Sequence, residues 1–383
     1  MDFSFTEEQM MLQQNLRRFV SKECPDELVR KWDENREYPY ALYDKIVDMG
    51  LIGLPFPEAY GGTDGSVIDM LIVGEELGRK GYDLAAMYGL PIFNALNVLH
   101  WGTQEQKDYY ISGVIQGKLR LSICITEPDA GSDVGGIKTV ATKEGDTFIL
   151  NGQKVFATGA HLKNNTMVLF ARTDLNVSHH NGLSAFLVDS TLPGIEIRRL
   201  DTLGRRIVTT NEVFLTNVRI PEDKLLGPLN GGWQVLLSGL DLERLFTSCA
   251  YVGNAQTAVD ETLEYAKQRV QFGKPIGDFQ AIAHMLANIQ TEVDAARLLT
   301  YRAGWMLTNG QPCVREVSMA KLFGSETFVR ATEVGMQVMG GYGYVMEYNM
   351  QRHFRDARIV TITAGSSQMQ RNIIARSMGL RPK

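Results

Sequence analysis

Cysteine is scarce in this chain, with four residues among 383, and no two of them are spaced as a C-x-x-C pair. Zinc sites and disulfide frameworks both need closely grouped or regularly spaced cysteines, so neither is indicated and we expect no bound metal. The four cysteines are instead expected to be reduced and mostly buried.

The chain also lacks an excess of positive charge, long apolar runs and a targeting segment. Its formal net charge is −5, which leaves no basic face for a nucleic-acid partner. No apolar run approaches the roughly 20 residues of a membrane span. The first residues form neither a signal sequence nor an Arg-rich transit peptide. The sequence therefore predicts a cytoplasmic protein without a membrane span.

Two common nucleotide-binding motifs are absent as well. No G-x-G-x-x-G follows a strand and opens a helix, and G-x-x-x-x-G-K-[ST] does not occur. A Rossmann or P-loop site is therefore not expected, and any dinucleotide must be bound in another way.

The hydrophobic pattern changes along the chain from helical to strand-like and back again. Helical periodicity dominates the first third, short apolar runs follow from about residue 121, and long helical patterns return after about residue 231. This order predicts an α+β protein. The predicted units are an N-terminal helical domain (1–120), a middle β domain (121–230) and a C-terminal helical domain (231–383).

Two local signals predict particular boundaries. Thr6 followed by Gln9 fits a capping box at the start of the first helix. Asn151-Gly152 lies between the strand-like segments Thr147–Leu150 and Gln153–Thr158 and predicts a type I′ hairpin turn between two strands.

The most informative segment is Ile125–Asp133 (I-T-E-P-D-A-G-S-D), which follows the apolar, strand-like run Leu121–Ile125. A strand that ends in hydroxyl and small residues offers side-chain oxygens and free backbone N–H groups at a sharp turn. Such a turn can hold the edge of a flat, polar, partly anionic ligand. For this segment alone, a polar loop after a core strand would be the simpler explanation.

Three further motifs follow in order, namely Arg269–Gly277 (R-V-Q-F-G-K-P-I-G), Gln337–Tyr344 (Q-V-M-G-G-Y-G-Y) and Phe354–Arg358 (F-R-D-A-R). Together the four motifs resemble the acyl-CoA dehydrogenase family of flavoproteins, and the resemblance covers essentially the whole chain. It implies an acyl-CoA dehydrogenase fold, with a middle β-barrel domain between an N-terminal helical domain and a C-terminal helical bundle. It also implies FAD as cofactor, an acyl-CoA substrate, electron-transfer flavoprotein as partner, and a homotetramer built as a dimer of dimers.

The resemblance assigns cofactor contacts to particular positions. Phe156 and Thr158 would flank the isoalloxazine ring, where Phe156 replaces a Trp that is common in the family and so removes an indole N–H donor. For Phe156 alone, a core position in the predicted hairpin would be the simpler interpretation. The remaining FAD contacts implied are Ile123, Ile125, Thr126, Gly131, Ser132, Arg269, Phe272, Gln280, Gln337, Gly341, Ser366 and Gln368.

Arg269 and Phe272 suit the adenosine half of FAD, because a guanidinium can bind pyrophosphate through two hydrogen bonds and an aromatic ring can cover an adenine. In the family these residues, with Gln337 and Gly341, reach the FAD of a neighbouring subunit. Gly340-Gly341 could equally end a helix.

The predicted catalytic base is Glu243. Dehydrogenation needs a carboxylate that removes the α-proton while the β-hydrogen leaves as hydride to the flavin. Many family members carry that Glu in a turn near the C terminus, where this chain has Ala364 followed by Gly365. Either the chain is an altered homologue, or its base lies elsewhere. Glu243 matches the position of the base in the isovaleryl-CoA dehydrogenase branch, and the alternative is a solvated carboxylate beside Arg244.

Ala364 is the second predicted catalytic position, through its backbone. In the family the N–H at this turn, with a flavin ribityl hydroxyl, binds the thioester oxygen and stabilises the developing enolate. A small side chain at this position also widens the acyl pocket, which suits a branched, cyclic or otherwise bulky acyl group. The substrate contacts implied are Ser132, Asp241, Arg244 and Gly365.

The sequence thus predicts an FAD-dependent acyl-CoA dehydrogenase that forms a 2-enoyl-CoA. Two alternatives stay open. Gly102–Gln106 and the missing C-terminal Glu also resemble the crotonobetainyl-CoA reductase group, which would run the reaction in reverse. The other alternative is a flavin-binding homologue without turnover.

Overall fold

The computed structural model describes residues 4–177 and 180–382. Within these ranges no helix is both long enough and apolar enough to cross a membrane. All four cysteines are free and buried, as expected.

The first third is helical, as predicted. Thr6 Oγ1 accepts a hydrogen bond from Gln9 N at 3.2 Å, and Thr6 N donates to Gln9 Oε1 at 3.2 Å, so the predicted capping box is confirmed. Ser66 and Thr103 begin two later helices in the same way. The helices are α1 (Glu7–Glu23), α2 (Asp26–Asn35), α3 (Tyr40–Asp48), α4 (Val67–Gly78), α5 (Tyr82–Trp101) and α6 (Gln104–Ile115).

The middle third forms an eight-stranded sheet with the order β6-β7-β3-β2-β4-β5-β8, and β1 also pairs with β4, in parallel. Its buried side is closed by large apolar side chains such as Phe148, Leu169 and Phe186. The strands are β1 (Arg120–Cys124), β2 (Val140–Glu144), β3 (Thr147–Thr158), β4 (Asn165–Arg172), β5 (Leu183–Asp189), β6 (Ile195–Arg199), β7 (Thr210–Pro221) and β8 (Leu225–Leu226).

The prediction of a closed barrel is wrong. Among the described residues, the end strands β6 and β8 do not pair with each other, so the sheet stays open. The charged residues Glu196, Arg198 and Arg199 on β6 are exposed, and charge on an edge strand disfavours further pairing. At the other end, β8 has only two residues.

The hairpin predicted at Asn151-Gly152 is also wrong, because β3 runs without interruption from Thr147 to Thr158. The turn lies earlier, at Gly145 and Asp146, between the paired residues Glu144 and Thr147. Gly152 instead marks a shift in the register of β3 against β7, and a Cβ there would lie 2.5 Å from Thr139 Oγ1. The Asn-Gly pair therefore makes a bulge rather than a reversal.

The last third is helical again, as predicted, apart from a short hairpin. α5 contacts both β1 and the long helix α7, so that the end of β1, the middle of α5 and the first half of α7 meet. The three domain boundaries given above stay predictions. The elements are α7 (Gly232–Gln268), β9 (Val270–Gln271), β10 (Lys274–Pro275), α8 (Gln280–Thr308), α9 (Val314–Met339), α10 (Gly341–Tyr344), α11 (Met350–Val360) and α12 (Ser367–Ser377).

Candidate active site

The loop after β1 is fixed by a buried ion pair. Lys154 Nζ, on β3, lies 2.7 Å from Glu127 Oε1 and also donates to Ile125 O at 3.0 Å. The Glu127 carboxylate accepts further hydrogen bonds from Lys138 N at 2.5 Å and Thr139 N at 2.9 Å. These contacts hold the predicted cofactor-edge loop against β3.

The charges of this pair stabilise each other. Burial alone would raise the pKa of Glu127, but the charge and hydrogen bonds of Lys154 outweigh it and lower that pKa. Burial lowers the pKa of Lys154, and Glu127 opposes this shift. Removing either partner would leave an unpaired buried charge.

Phe156 is presented on the surface beside this loop. Its φ of 58° lies in the left-handed region, at a register shift between Lys154 and Ala157, and its side chain is 63% exposed. Phe156 is therefore not a core residue of the sheet. Strained backbone that carries an exposed aromatic ring is typical of a ligand site. Thr158 is half-buried, two residues further along β3.

The loop leaves space for a ligand on its outer side. Gly131 and Ser132 are exposed, and no atom lies within 4 Å of a Cβ built on Gly131. Ile123, Ile125 and Thr126 are half-buried at the strand end. An exposed ring, an open glycine and accessible backbone at one edge fit a flat cofactor.

Glu243 lies in the first half of α7 and lines a cavity of about 20 Å³, which has room for about one water molecule. The cavity is enclosed by α5, β1 and α7, and most of its wall is apolar. Its other lining residues are Leu90, Phe93, Asn94, Asn97, Ile123, Leu236, Gly239 and Leu240. Glu243 is therefore not a solvated carboxylate on an outer helix face.

Burial raises the pKa of Glu243, and the adjacent Arg244 opposes the shift. Burial also raises the pKa of Asp241 and lowers that of Arg244. The Asp241 carboxylate lies 3.5 Å from Arg244 Nη1, one helical turn away. A carboxylate whose pKa is raised towards neutrality is a stronger base and suits proton abstraction.

The turn before α12 has two consecutive residues in the left-handed region, Ala364 with φ 53° and Gly365 with φ 82°. Lys321, fully buried on α9, donates to Gly365 O at 2.8 Å and to Val360 O at 3.0 Å. Gln370 Nε2 donates to Ala364 O at 3.2 Å and to Gly365 O at 3.0 Å. The conformation of the turn is therefore set by side chains from two helices.

This turn adjoins the helix of the candidate base. A Cβ on Gly365 would lie 3.8 Å from Arg244 Nη2. The charge of Arg244 also contributes, after burial, to a pKa of about 8 for Lys321. Ser366 caps α12, accepting a hydrogen bond from Met369 N at 3.3 Å, and Gln368 is exposed on the same helix.

A second, larger cavity of about 810 Å³ contains Arg269, Phe272 and Gly341. Phe272 and Gly273 form the turn of the β9–β10 hairpin with φ angles of 52° and 80°, and the Phe272 side chain is 94% exposed. The Arg269 guanidinium lies 5.7 Å from the centroid of the Tyr342 ring. An exposed ring beside a guanidinium and an open glycine fits a nucleotide.

The two cavities share no lining residue; of the predicted site residues, the smaller cavity is lined by Ile123 and Glu243 and the larger one by Arg269, Phe272 and Gly341. Gln280 and Gln337 are exposed and are not among the residues lining either cavity. The chain does not bring Arg269 into the cavity of Glu243.

Sequence reasoning did not single out Lys154, Lys321 or Asn94. The two lysines are fully buried and the asparagine is nearly so. Nothing local in the sequence distinguishes Lys321 from a solvated helix lysine. Lys154 likewise has polar neighbours on its strand, such as Asn151 and Gln153, and no local sign of burial.

The described chain thus has an α+β fold, in which a sheet domain lies between two helical domains and a carboxylate lines a largely apolar cavity beside the sheet. Family models match the chain throughout: the acyl-CoA dehydrogenase N-terminal domain at 6–118, the middle domain at 122–218 and the C-terminal domain at 230–379.

Individual relatives agree with these matches. A probable acyl-CoA dehydrogenase, YngJ, of Bacillus subtilis is 37% identical over 99% of this chain and 100% of its own length. The caffeyl-CoA reductase-Etf complex subunit CarC of Acetobacterium woodii is 37% identical over 97% of this chain and 98% of its own length. Among solved structures, butyryl-CoA dehydrogenase from Megasphaera elsdenii superposes with a TM-score of 0.94. The two chains are 31% identical, and the superposition covers 99% of this chain and 100% of the other.

The chain belongs to the acyl-CoA dehydrogenase family. It is accordingly an oxidoreductase of this family with FAD as its cofactor.

Proposed function

We propose that the protein oxidises the Cα–Cβ bond of a short, branched or cyclic acyl-CoA to the 2-enoyl-CoA, with Glu243 as the base. The observation that carries this proposal is the position of Glu243 in a largely apolar cavity that raises its pKa. Ala364, at the usual position of the base, has no side-chain oxygen.

Each group has a defined task in this proposal. Glu243 accepts the α-proton, and the surrounding Leu and Phe side chains keep water from competing for the carboxylate. The Ala364 N–H donates to the thioester oxygen and stabilises the negative charge that develops there. FAD, when bound, supplies the hydride acceptor for the β-hydrogen.

We propose the same FAD contacts as in the sequence analysis. The exposed loop after β1 supports the contacts on that side of the cofactor. Thr126, Gly131 and Ser132 would bind through backbone and hydroxyl groups, and Phe156 would cover one edge of the ring system. Ile123, Ile125 and Thr158 complete that side, with Ser366 and Gln368 on the other. Asp241, Arg244, Ser132 and Gly365 would lie along the CoA thioester.

The separate groove with Arg269 and Phe272 supports a shared site. We propose that this groove, with Gln280, Gln337 and Gly341, binds the adenosine half of the FAD of a neighbouring subunit. A homotetramer built as a dimer of dimers would then be the form that retains FAD.

Electron-transfer flavoprotein is the proposed electron acceptor. The Acetobacterium woodii relative is a subunit of a caffeyl-CoA reductase-Etf complex, which supports this partner. The same relative is named a reductase, which favours enoyl-CoA reduction as a second candidate function. The two directions use the same proton and hydride positions, because each is the reverse of the other.

The test is flavin reduction under anaerobic conditions. Purified protein should be yellow, and its flavin should bleach on mixing with a short or branched acyl-CoA, while an artificial electron acceptor should support turnover. Faster oxidation of the reduced flavin by enoyl-CoA than by the electron acceptor would favour the reductase. If no acyl-CoA reduces the bound flavin and no enoyl-CoA oxidises the reduced flavin, both candidate functions are contradicted. The protein would then be a non-catalytic homologue.

A further inference from the structure

The cavity of Glu243 has a second polar feature that the proposed reaction does not use. Asn94, on α5, lines this cavity and is 2% exposed. Its Nδ2 donates to Leu90 O at 2.8 Å, which fixes the orientation of the amide. Its Oδ1 is buried and accepts no hydrogen bond from the described chain. Asn94 therefore keeps a free acceptor.

Of the described residues that line this cavity, Asn94 alone has such a buried atom without a partner. A buried acceptor without a donor is unfavourable, and folded proteins keep few of them. A ligand that brings a donor into the cavity would satisfy it.

Asn97 adds a second amide to the same wall. It lies three residues later, about 4.5 Å along the helix, and is nearly buried. A Cβ on Gly239, across the cavity on α7, would lie 2.7 Å from Asn97 Oδ1. The missing side chain at Gly239 thus leaves space for the amide.

The packing of α5 on α7 places Asn94 at the level of Glu243. Asn97 faces Gly239, and a Cβ on Gly89 would lie 2.7 Å from the Phe246 ring, so the two helices run antiparallel. Asn94 lies between Gly89 and Asn97 on α5, and Glu243 lies between Gly239 and Phe246 on α7. Both residues are therefore located between the same two helix contacts. An acyl group whose α-carbon meets Glu243 would therefore have its next atoms near the amide.

Aromatic rings limit the length of that acyl group. The Phe93 and Phe246 rings meet edge to face, with centroids 5.1 Å apart, beyond Asn94 along α5. This packing closes the cavity on that side, so an acyl chain that reaches Asn94 cannot extend further along α5.

We propose that Asn94 is a specificity-determining residue that accepts a hydrogen bond from a hydroxyl group beyond the β-carbon of a short acyl chain. The substrate class is then a short hydroxyacyl-CoA, or the corresponding hydroxyenoyl-CoA. A neutral donor fits better than a cationic one, because a cation would pair with Glu243 and occupy the base. This inference rests on the proposed function.

The experiment compares two thioesters with equal numbers of acyl heavy atoms, 4-hydroxybutyryl-CoA and pentanoyl-CoA, on the FAD-loaded protein. The readouts are kcat/KM with an artificial electron acceptor and Kd from the change in flavin absorbance. Wild type should favour the hydroxyacyl thioester at least about 10-fold, because the apolar analogue leaves the acceptor unpaired. Asn94→Leu, which is close in shape, should abolish or reverse this ratio.

Leu240→Met is the matched control, because it changes an apolar wall of the same cavity and should shift both thioesters together. Equal kcat/KM values for the two thioesters in wild type would overturn the proposal. The proposal would also fail if Asn94→Leu changed the kcat/KM values of the two thioesters by the same factor. If neither thioester reduces the flavin, the proposed function fails. The ratio of the two Kd values then still tests whether Asn94 selects the hydroxyacyl group. Equal Kd values, or no binding of either thioester, would then overturn the role of Asn94 as well.

Discussion

Lys321 Nζ donates a hydrogen bond of 2.8 Å to Gly365 O, so a fully buried ammonium on α9 holds the turn that carries Ala364. The same ammonium donates to Val360 O at 3.0 Å, at the end of α11. The turn and the helix before it are thereby joined at one point. Since Ala364 has a left-handed φ of 53°, the direction of its N–H depends on this support.

Lys321→Met should lower kcat by up to about 10²-fold with little change in KM, because a small displacement of the turn misplaces the Ala364 N–H. The free energy of unfolding should fall by about 1–3 kcal/mol, since Val360 O loses the Lys321 donor and Gly365 O keeps only the hydrogen bond from Gln370 Nε2. Steady-state kinetics and urea unfolding measure the two effects. Lys267→Met, at an exposed lysine on α7, is the control. An unchanged kcat would show that the turn does not need Lys321.

Glu243→Gln should keep the fold and bound FAD but lower the rate of flavin reduction by about 10²–10⁴-fold, because the amide cannot accept the proton. Stopped-flow bleaching under anaerobic conditions measures this rate. Adding Ala364→Glu should restore part of the rate for a straight-chain acyl-CoA and exclude bulky ones. Wild-type bleaching by Glu243→Gln would mean that another residue is the base.

The pH dependence of flavin reduction should have an acid limb above the ordinary Glu pKa of 4.5, because burial raises the pKa of Glu243 and only the carboxylate is a base. The same shift affects stability. The folded state binds the proton more tightly than the unfolded state, so the contribution of Glu243 to stability is lost as pH rises through its folded pKa. Glu243→Gln should therefore match or exceed wild type in stability at pH 7, measured by thermal unfolding.

Phe272→Ala should weaken retention of FAD and tetramer formation while changing the stability of the subunit fold by less than about 0.5 kcal/mol, because the side chain is 94% exposed. Flavin content after gel filtration and light scattering measure these effects. Leu175→Ala, at an exposed apolar residue outside both cavities, is the control. Normal flavin content in the Phe272 variant would contradict the proposed nucleotide groove.

Lys154→Met should destabilise the fold by about 3–5 kcal/mol, because the buried Glu127 carboxylate loses its partner. The loss should shrink as pH falls, since the unpaired carboxylate can then take up a proton. Chemical unfolding at two pH values measures both. A second change, Glu127→Gln, should recover part of the stability, and no recovery would mean that the pair does not act as a unit.

The sequence was sufficient for the order of a helical, a strand-rich and a second helical part, because the spacing of the apolar residues changes near residues 121 and 231. It was not sufficient for sheet closure, which depends on whether β6 and β8 meet in space. The Asn151-Gly152 signal was misleading because the pairing of β3 with β7 outweighs a local turn preference. The choice of Glu243 as base rests on its position in a family pattern and stays a prediction.

Lys321 and Asn94 could not have been predicted in the same way. Their importance comes from the helices packed against them, and a single sequence gives no local sign of that packing. In an amphipathic helix a Lys is ordinarily solvated, whereas Lys321 is fully buried under the turn before α12.

The separation of Glu243 and Arg269 into two cavities has a genetic consequence. If each active site takes its base from one subunit and its nucleotide groove from a neighbour, two different inactive subunits can repair each other. Co-assembly of Glu243→Gln chains with Arg269→Ala chains would produce some sites with both groups intact and others with neither. Activity from such a mixture, absent from either variant alone, would be intragenic complementation.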